Sequence, residues 1–331
     1  MQHHTIQTPY IVGEVHCYST EIDGELVLFD CGPPTAEAFA SLNARIDVSR
    51  LKYLFITHCH IDHYGLVARI AEHSDARILI PRAEAARLGR HAEHLDRLMT
   101  LLSDLGCDDQ VTRFIREKME REHLVAAIPG HFEIVEESDA PSRLGIEWLN
   151  CPGHSQSDLV YLCGEYAVTG DILLRNIFQV PILDVDLASL SDRFRNYDAY
   201  CASIRLLRRL RSYRIKPGHR WSVEGVDATI LFYVRKLLER AAQMKDAPPG
   251  ASPAGIMKGL FGDIMKNPFF VHMKLSEIVF ALDFLENPEL LRGALEFLNL
   301  FDQVSGQYHS VVENAYGDRW GAAQPEVLMN Y

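Results

Sequence analysis

Short apolar runs separated by Gly, Pro and Asp turns follow one another up to about residue 225. Runs of four to six residues have the length of buried strands rather than of helices. Longer segments with helical periodicity, 64–73 and 192–211, lie between them, so the pattern predicts a mixed α/β fold with helices covering sheets. The predicted strands are Leu26–Asp30, Lys52–Thr57, Ala76–Ile80, Phe132–Val135, Leu144–Trp148, Leu159–Leu162 and Tyr166–Thr169.

One long stretch, residues 82–127, contains no strand signal. Leucines from Leu88 to Leu105 recur at spacings typical of one helix face, and a second apolar set from Val111 to Met119 follows the break at Gly106. The pattern predicts an insertion of two helices.

After residue 225 the strand signals stop. A helix is predicted over 226–245, and Ser252-Pro253 and Asn287-Pro288 are typical cap-plus-proline signals that open helices near 254–266 and 289–301. The polar tail beyond Gln303 is predicted to be loosely structured. The expected organisation is an α/β domain over 1–225 and an all-helical region over 226–331 that covers or flanks it.

Charge and cysteine content limit the function classes. The chain of 331 residues carries 45 acidic and 33 basic residues, a net charge of -12 that repels polyanions and makes a nucleic-acid partner unlikely. Seven cysteines without CxxC pairs disfavour a disulfide framework. Residues 1–10 lack signal-peptide features, and no apolar stretch is long enough to span a membrane, so a cytoplasmic protein is expected.

The segment Thr57-His-Cys-His-Ile-Asp-His63 lies where a predicted strand gives way to a helix. Residues two apart in an extended segment point the same way, so His58 and His60 can converge on one metal ion. Asp62 and His63 at the helix start can face a neighbouring ion. Imidazoles with a carboxylate suit zinc, and iron or manganese are possible. The alternative is a polar turn in which Asp62 only caps the helix.

This His-x-His-x-Asp-His string resembles the hallmark of the metallo-β-lactamase superfamily. Three further elements follow in the family's order: Pro152-Gly-His154, Thr169-Gly-Asp171 and Pro217-Gly-His219. The resemblance implies an αββα sandwich, here with the helical insertion and the C-terminal helical appendage. It also implies two divalent metal ions, one held by His58, His60 and His154, the other by Asp62, His63 and His219, with Asp171 bridging them.

Other positions refine the resemblance. Asp30 resembles the family's aspartate behind the ligands, although a turn Asp at a strand end is the alternative. Pro129-Gly-His131 has the local form of a ligand segment but matches no family position, so His131 is not expected to bind metal. The sequence after His154, Ser-Gln-Ser-Asp158, departs from the usual pattern. Asp171, where some true β-lactamases carry Cys, argues against antibiotic hydrolysis.

The implied chemistry is hydrolysis of a small-molecule ester, thioester or lactone by a metal-bridging hydroxide. Asp62 is expected to orient the water and to pass its proton to the leaving group. The layout resembles glyoxalase-II-like thioesterases and related esterases. We expect the insertion and the C-terminal helices to wall a partly apolar pocket. Its candidate lining residues are Met99, Phe114, Met119, Phe261, Met265, Phe269 and Phe270.

Three other functions stay open at the level of sequence. A di-iron redox or oxygen-binding protein is disfavoured because that branch typically has Glu where this chain has His60. A phosphodiesterase or nuclease of the same fold requires a basic surface, and only residues 205–214 offer one. A regulatory or binding protein with slow turnover needs the same ligands as an enzyme. The helices could also form a homodimer contact.

Overall fold

The computed structural model describes residues 1–126, 128, 130–262 and 268–316. Its first sheet has six strands in the order β1-β2-β3-β4-β5-β6. Strands β1 to β3 pair antiparallel, whereas β3 to β6 run parallel. The strands are Gln2–Gln7 (β1), Glu14–Ile22 (β2), Glu25–Phe29 (β3), Leu51–Phe55 (β4), Arg77–Ile80 (β5) and Glu133–Ile134 (β6).

The second sheet has four strands in the order β10-β9-β8-β7. Strands β7, β8 and β9 pair antiparallel, and β10 runs parallel to β9. The strands are Glu147–Asn150 (β7), Leu159–Cys163 (β8), Tyr166–Gly170 (β9) and Arg214–Pro217 (β10).

The two sheets pack face to face. Because alternate residues of a strand point to opposite faces, β3 sends Val27 and Phe29 between the sheets and Leu26 and Leu28 to the outer face. Phe29, Phe55 and Tyr161 pack on one another in the middle layer, with ring centroids 5.3 to 5.6 Å apart.

Helices cover the outer face of the first sheet. They are Ala36–Asn43 (α1), Ile61–Tyr64 (α2) and Val67–His73 (α3), and α1 and α3 share the apolar core of that face. The predicted helix 64–73 is therefore divided in two. The division falls at Gly65, where a Cβ would lie 2.3 Å from Cδ of Pro34.

The insertion contains three helices, so the prediction of two was wrong. They are Arg82–Gly89 (α4), His91–Asp104 (α5) and Asp109–Val125 (α6). The break at Gly106 is confirmed by its φ of +93°. The break at Arg90 was missed because Leu88 in α4 and Leu95 in α5 keep a helical spacing across it.

The outer face of the second sheet packs on the remaining helices. Val160, Leu162 and Ala167 belong to one apolar core with side chains of the helices that follow, which completes an αββα sandwich and confirms the predicted fold class. The helices that contribute to this core are Asn196–Leu206 (α8), Val226–Gln243 (α9), Pro253–Phe261 (α10), Pro268–Glu286 (α11), Pro288–Leu298 (α12) and Ser305–Tyr316 (α13). The short helix Ala140–Arg143 (α7) instead places Ala140 in the layer between the sheets. Short 3-10 turns are Val48–Arg50, Leu207–Ser212, Met244–Asp246 and Phe301–Gln303.

The C-terminal region is helical, as expected, with two differences. Ser252 caps α10 by accepting a hydrogen bond from the Gly255 amide, whereas the Asn287 side chain makes no such bond. The expectation of a loose tail after Gln303 was wrong up to Tyr316, because α13 packs through the buried Tyr308. Residues 317–331 and the predicted helix end at 263–266 lie outside the described residues.

Several strand and helix limits also differ from the prediction. Strands β1 and β2 were not predicted, because their histidines and glutamates interrupt the apolar alternation. Helix α8 begins at Asn196 rather than near residue 192, since Arg193 forms a β-bridge with Val185. No helix in the described ranges is long and apolar enough to cross a membrane.

Candidate metal centre

The chain leaves β4 and crosses the edge of the first sheet before α2 begins. His58 and His60 lie on this extended segment, and Asp62 and His63 lie in α2. The amides of Cys31 and Gly32 donate to the His63 carbonyl at 2.7 and 3.2 Å, which fixes the short helix against the end of β3. The predicted strand-to-helix junction is thus confirmed.

The other three residues follow strands of the second sheet. His154 lies between β7 and β8, Asp171 follows β9, and His219 follows β10. Because β9 and β10 are parallel, their carboxyl ends meet at one edge of the sheet, and the Gly218 amide donates to the Gly170 carbonyl at 2.7 Å. The Leu159 amide donates to the Thr57 carbonyl at 2.9 Å and joins this edge to the first sheet.

All seven sequence-predicted residues converge in two adjacent groups. One contains His58, His60, His154 and Asp171, and the other contains Asp62, His63 and His219, with the ligand atoms of each group within 4.8 Å of one another. Nδ1 of His60 lies 3.0 Å from Nε2 of both His58 and His154. Nε2 of His63 lies 3.3 Å from Nε2 of His219. His131, in contrast, is exposed and lies in neither group.

Asp171 extends across both groups. Its Oδ1 lies 3.4 Å from Nε2 of His63 and of His219, and its Oδ2 lies 3.6 Å from Nε2 of His154. Oδ1 is buried, and within the described part of the chain it has no hydrogen-bond partner. A buried oxygen without a partner is costly unless a cation or a proton completes its environment.

Hydrogen bonds behind the site orient three of the imidazoles. Nδ1 of His154 donates to the Val180 carbonyl at 2.7 Å, and Nδ1 of His219 donates to the Glu14 carbonyl at 2.6 Å. A carbonyl oxygen can only accept, so each ring's Nε2 is the nitrogen that can bind a metal. Sequence reasoning had no signal for Val180 or Glu14, because the interaction uses only their backbones.

Asp30 orients the third ring and the segment before it. Its Oδ2 accepts from Nδ1 of His63 at 2.9 Å and from the Thr57 hydroxyl at 2.8 Å, while its Oδ1 accepts from the Thr57 amide at 2.8 Å. The backbone of Asp30 has a φ of +55°. The contact expected for this aspartate behind the ligands is confirmed.

The sequence matches a known family over the part of the chain that builds this site. The family model of the metallo-beta-lactamase superfamily matches residues 10–219. The chain belongs to the metallo-β-lactamase superfamily. No curated protein matches the sequence.

Two solved structures of superfamily proteins share the fold. The metallo-beta-lactamase family protein TTHA1429 from Thermus thermophilus is 19% identical and has a TM-score of 0.69, with 87% of this chain and 93% of that chain covered. A beta-lactamase domain protein from Burkholderia ambifaria is 20% identical and has a TM-score of 0.67, with 86% of each chain covered. At this identity the likeness concerns the fold alone.

The pKa values of the histidines at the site favour binding of a cation. Burial and the neighbouring imidazoles hold the pKa of His58 well below its usual value and lower the pKa of His60 to about 3. Burial opposes protonation of His219 as well, but the Asp171 carboxylate outweighs it and raises the pKa of His219 to about 10. The pKa of His63 is raised for the same reason. Protons on these two rings therefore balance the carboxylates, and divalent ions could replace them.

Two glycines of the superfamily site allow its close packing. A Cβ at Gly218 would lie 2.4 Å from Oδ1 of Asp171 and 2.6 Å from Cε1 of His63. A Cβ at Gly170, whose φ is +49°, would lie 2.7 Å from Oγ1 of Thr57. The glycines were part of the recognised sequence segments, but their steric role requires the tertiary structure.

A cavity of about 120 Å³ adjoins the first group at His60. It lies among the insertion, the 182–187 loop and α11, so the insertion and one C-terminal helix do wall a pocket. The lining is partly apolar, as expected, but most of the candidate lining residues were wrong. Met119 lines the cavity, whereas Met99, Phe114 and Phe261 pack against the helical core and Phe270 does not border it. Met265 and the side chain of Phe269 lie outside the described residues.

Proposed function

We propose that this protein is a dinuclear metal-dependent hydrolase that cleaves an ester, thioester or lactone bond in a small molecule. The observation that carries the proposal is the position of Asp171, whose two oxygens face separate groups of nitrogen ligands. A carboxylate placed in this way is suited to bridge two ions. The superfamily membership supports metal-dependent hydrolysis as the class of reaction.

The donor atoms fit divalent metals. Both groups combine imidazole nitrogens with carboxylate oxygen, the set favoured by zinc, and iron or manganese also accept it. We propose that His58, His60 and His154 hold one ion, that Asp62, His63 and His219 hold the other, and that Asp171 bridges them. When bound, two such ions would supply an activated water and would polarise the substrate carbonyl.

Asp62 is the proposed catalytic residue. Its Oδ2 lies 3.3 Å from Nε2 of His219. The neighbouring His63 and His219 outweigh the effect of burial and lower the pKa of Asp62, so the carboxylate is ionised and can accept a proton from water. It would then pass that proton to the leaving group.

The size and charge of the site favour a small substrate. A cavity of about 120 Å³ accommodates only a few non-hydrogen atoms, and the net charge of -12 disfavours a polyanion. We therefore place small-molecule hydrolysis ahead of phosphodiester cleavage. Seven cysteines without a disulfide framework support a reducing compartment, and we propose the cytoplasm as the site of action.

Metal analysis combined with a substrate panel tests the proposal. The purified protein should contain about two divalent ions per chain and should hydrolyse at least one of an aryl ester, a thioester or a lactone. Asp171→Asn and His60→Asn should lose metal and activity together, and His131→Asn should keep both because His131 lies outside the groups. Full metal content in both site variants, or background rates with all three substrates, would refute it.

A further inference from the structure

The lining of the cavity beside His60 contains several polar side chains, and many of them are already hydrogen-bonded to the protein. Glu84 accepts from Nε of Arg87 at 2.6 Å and from the Ser157 hydroxyl at 2.7 Å. Gln156 donates to the Val185 carbonyl and accepts from the Leu187 amide. These groups form a fixed wall, and the Arg87 charge is neutralised by Glu84.

Two carboxylates that line the cavity each accept hydrogen bonds at only one of their two oxygens. Oδ1 of Asp184 accepts from Nε2 of His94 and from the Val185 amide, both at 2.8 Å. One oxygen of Glu122 accepts from Nζ of Lys118. In the described ranges, no hydrogen bond reaches the second oxygen of either carboxylate.

The third acceptor is a histidine from the C-terminal region. Nε2 of His272 donates to the Leu183 carbonyl at 2.8 Å, so Nδ1 carries a lone pair in the neutral ring. Burial lowers the pKa of His272 and keeps the ring neutral. Glu122 on α6, Asp184 on the 182–187 loop and His272 on α11 thus line one cavity, and each has an acceptor atom that no other described group uses.

We propose that this cavity binds the acyl group of the substrate and selects a short acyl group that carries an ammonium. The inference rests on the proposed hydrolase function and specifies its substrate class. An ammonium has three N–H donors and no acceptor, which matches the three unused acceptors. The cavity is smaller than the roughly 150 Å³ that holds benzene in an engineered apolar cavity, so the group is short.

The position of Asp62 explains why the acyl group, rather than the leaving group, occupies the cavity. Asp62 belongs to the group with His63 and His219, and the leaving group must lie near it to receive a proton. The cavity instead borders His60 and the two residues that follow His154. The acyl group of the substrate therefore extends past His60 into the cavity, and the leaving group extends toward Asp62.

Acyl groups that end in a carboxylate, a methyl group or a long aliphatic chain should bind less well in this cavity. A carboxylate would supply no donor to the unused oxygens of Glu122 and Asp184, and the charge of Arg87 is already balanced by Glu84. A methyl group of equal size would leave the three acceptors without donors. A long aliphatic chain would exceed the volume of the cavity, which is about 120 Å³.

Three methyl esters with similar acyl groups test the inference directly. β-Alanyl, butyryl and succinyl esters end in an ammonium, a methyl group and a carboxylate, respectively. For the metal-loaded protein we expect kcat/KM for the β-alanyl ester to exceed that for the butyryl ester by about tenfold or more. The succinyl ester should be the slowest. Equal rates, or a preference for butyryl or succinyl, would overturn the inference.

Glu122→Gln identifies the residue responsible, with Glu120→Gln as the matched control. Glu120 lies on the same helix, is half exposed and pairs with Arg116 outside the cavity. Glu122→Gln should lower the β-alanyl to butyryl ratio toward one, mainly by raising KM for the β-alanyl ester. Glu120→Gln should preserve the ratio. An unchanged ratio in Glu122→Gln would contradict the assignment.

A binding measurement separates this inference from the proposed function. β-Alaninamide and butyramide are stable analogues, and their binding to the metal-loaded protein can be measured by calorimetry. Binding of β-alaninamide that is lost in Glu122→Gln supports the inference even if no ester is hydrolysed, in which case only the hydrolase proposal fails. Ester hydrolysis without such binding or charge preference removes the inference and leaves the hydrolase proposal intact.

Discussion

Nδ1 of His63 lies 2.9 Å from Oδ2 of Asp30, although 33 residues separate them in the sequence. Partners of this kind fix the ring orientation of a metal-binding histidine and increase its basicity. We predict that Asp30→Asn lowers metal affinity by about 10- to 100-fold, measured by competition with a chromophoric chelator. Asp23→Asn is the control, because Asp23 also has a positive φ but is exposed in the turn between β2 and β3. Equal affinity in Asp30→Asn and wild type would exclude this role.

The lack of a side chain at Gly218 should be essential to the site. Gly218→Ala would place a methyl group against Asp171 and His63, so we expect loss of metal and activity. Gly259→Ala is a fitting control, since nothing lies within 4 Å of its Cβ on helix α10. That variant should keep its metal and gain about 0.5 to 1 kcal/mol in the free energy of unfolding. Wild-type metal content in Gly218→Ala would disprove the steric argument.

Metal binding should release protons. At pH 7.5 the metal-free protein carries protons on His63 and His219, because their pKa values are raised, and ligation must displace both. We expect about three protons released per chain, two from these rings and one from the metal-activated water. None should come from His58 or His60, whose pKa values are lowered. Calorimetric titrations in buffers of different ionisation enthalpy measure this number. Binding enthalpies that do not depend on the buffer would contradict it.

The same shifts determine how the stability of the metal-free protein depends on pH. A histidine with a raised folded pKa stabilises the protein below its unfolded pKa of about 6.5, and that contribution is lost as pH rises through the folded pKa. For His219 the window runs from about 6.5 to about 10. Urea unfolding should therefore show stability falling across this range in the metal-free protein. The metal-loaded protein should show a flatter profile, and identical slopes would argue against the assignment.

Helix α13 should be an integral part of the fold. Tyr308 is buried against Phe284 and Phe301, with ring centroids 6.1 and 5.2 Å away. We predict that Tyr308→Ala costs about 3 to 5 kcal/mol of the free energy of unfolding. Tyr308→Phe retains the packing and should cost less than about 1.5 kcal/mol. Denaturant titration of the three proteins measures both values, and a loss below about 1 kcal/mol in Tyr308→Ala would mean that α13 is dispensable.

The short apolar runs were sufficient to predict a mixed α/β fold, because this signal survives without tertiary information. The αββα sandwich followed from the resemblance of the His-x-His-x-Asp-His string to the superfamily's hallmark. The sequence also identified all seven residues that converge at the site, since four of them lie within six consecutive positions and the others follow Pro-Gly or Thr-Gly segments. The superfamily membership is confirmed. The assignment of individual ligands to two ions stays a prediction.

Features that depend on contacts between distant elements could not be predicted. The carbonyl groups of Glu14 and Val180 act through the backbone, which every residue possesses. Most candidate lining residues of the cavity were wrong because Met and Phe residues on amphipathic helices face either a pocket or a core, and Phe114 faces the core. Tyr308 lies in a polar segment whose burial is decided by its neighbours Phe284 and Phe301.

The hydrogen bond between His219 and the Glu14 carbonyl joins positions 205 residues apart. During synthesis, the chain cannot complete the second group of ligands until residue 219 has left the ribosome and returned to the first antiparallel strand pair. Metal binding to Asp62, His63 and His219 therefore occurs late in synthesis, only after the two sheets have packed on each other. A chain that misfolds at its N-terminal hairpin would be metal-deficient, although every ligand residue had been translated correctly.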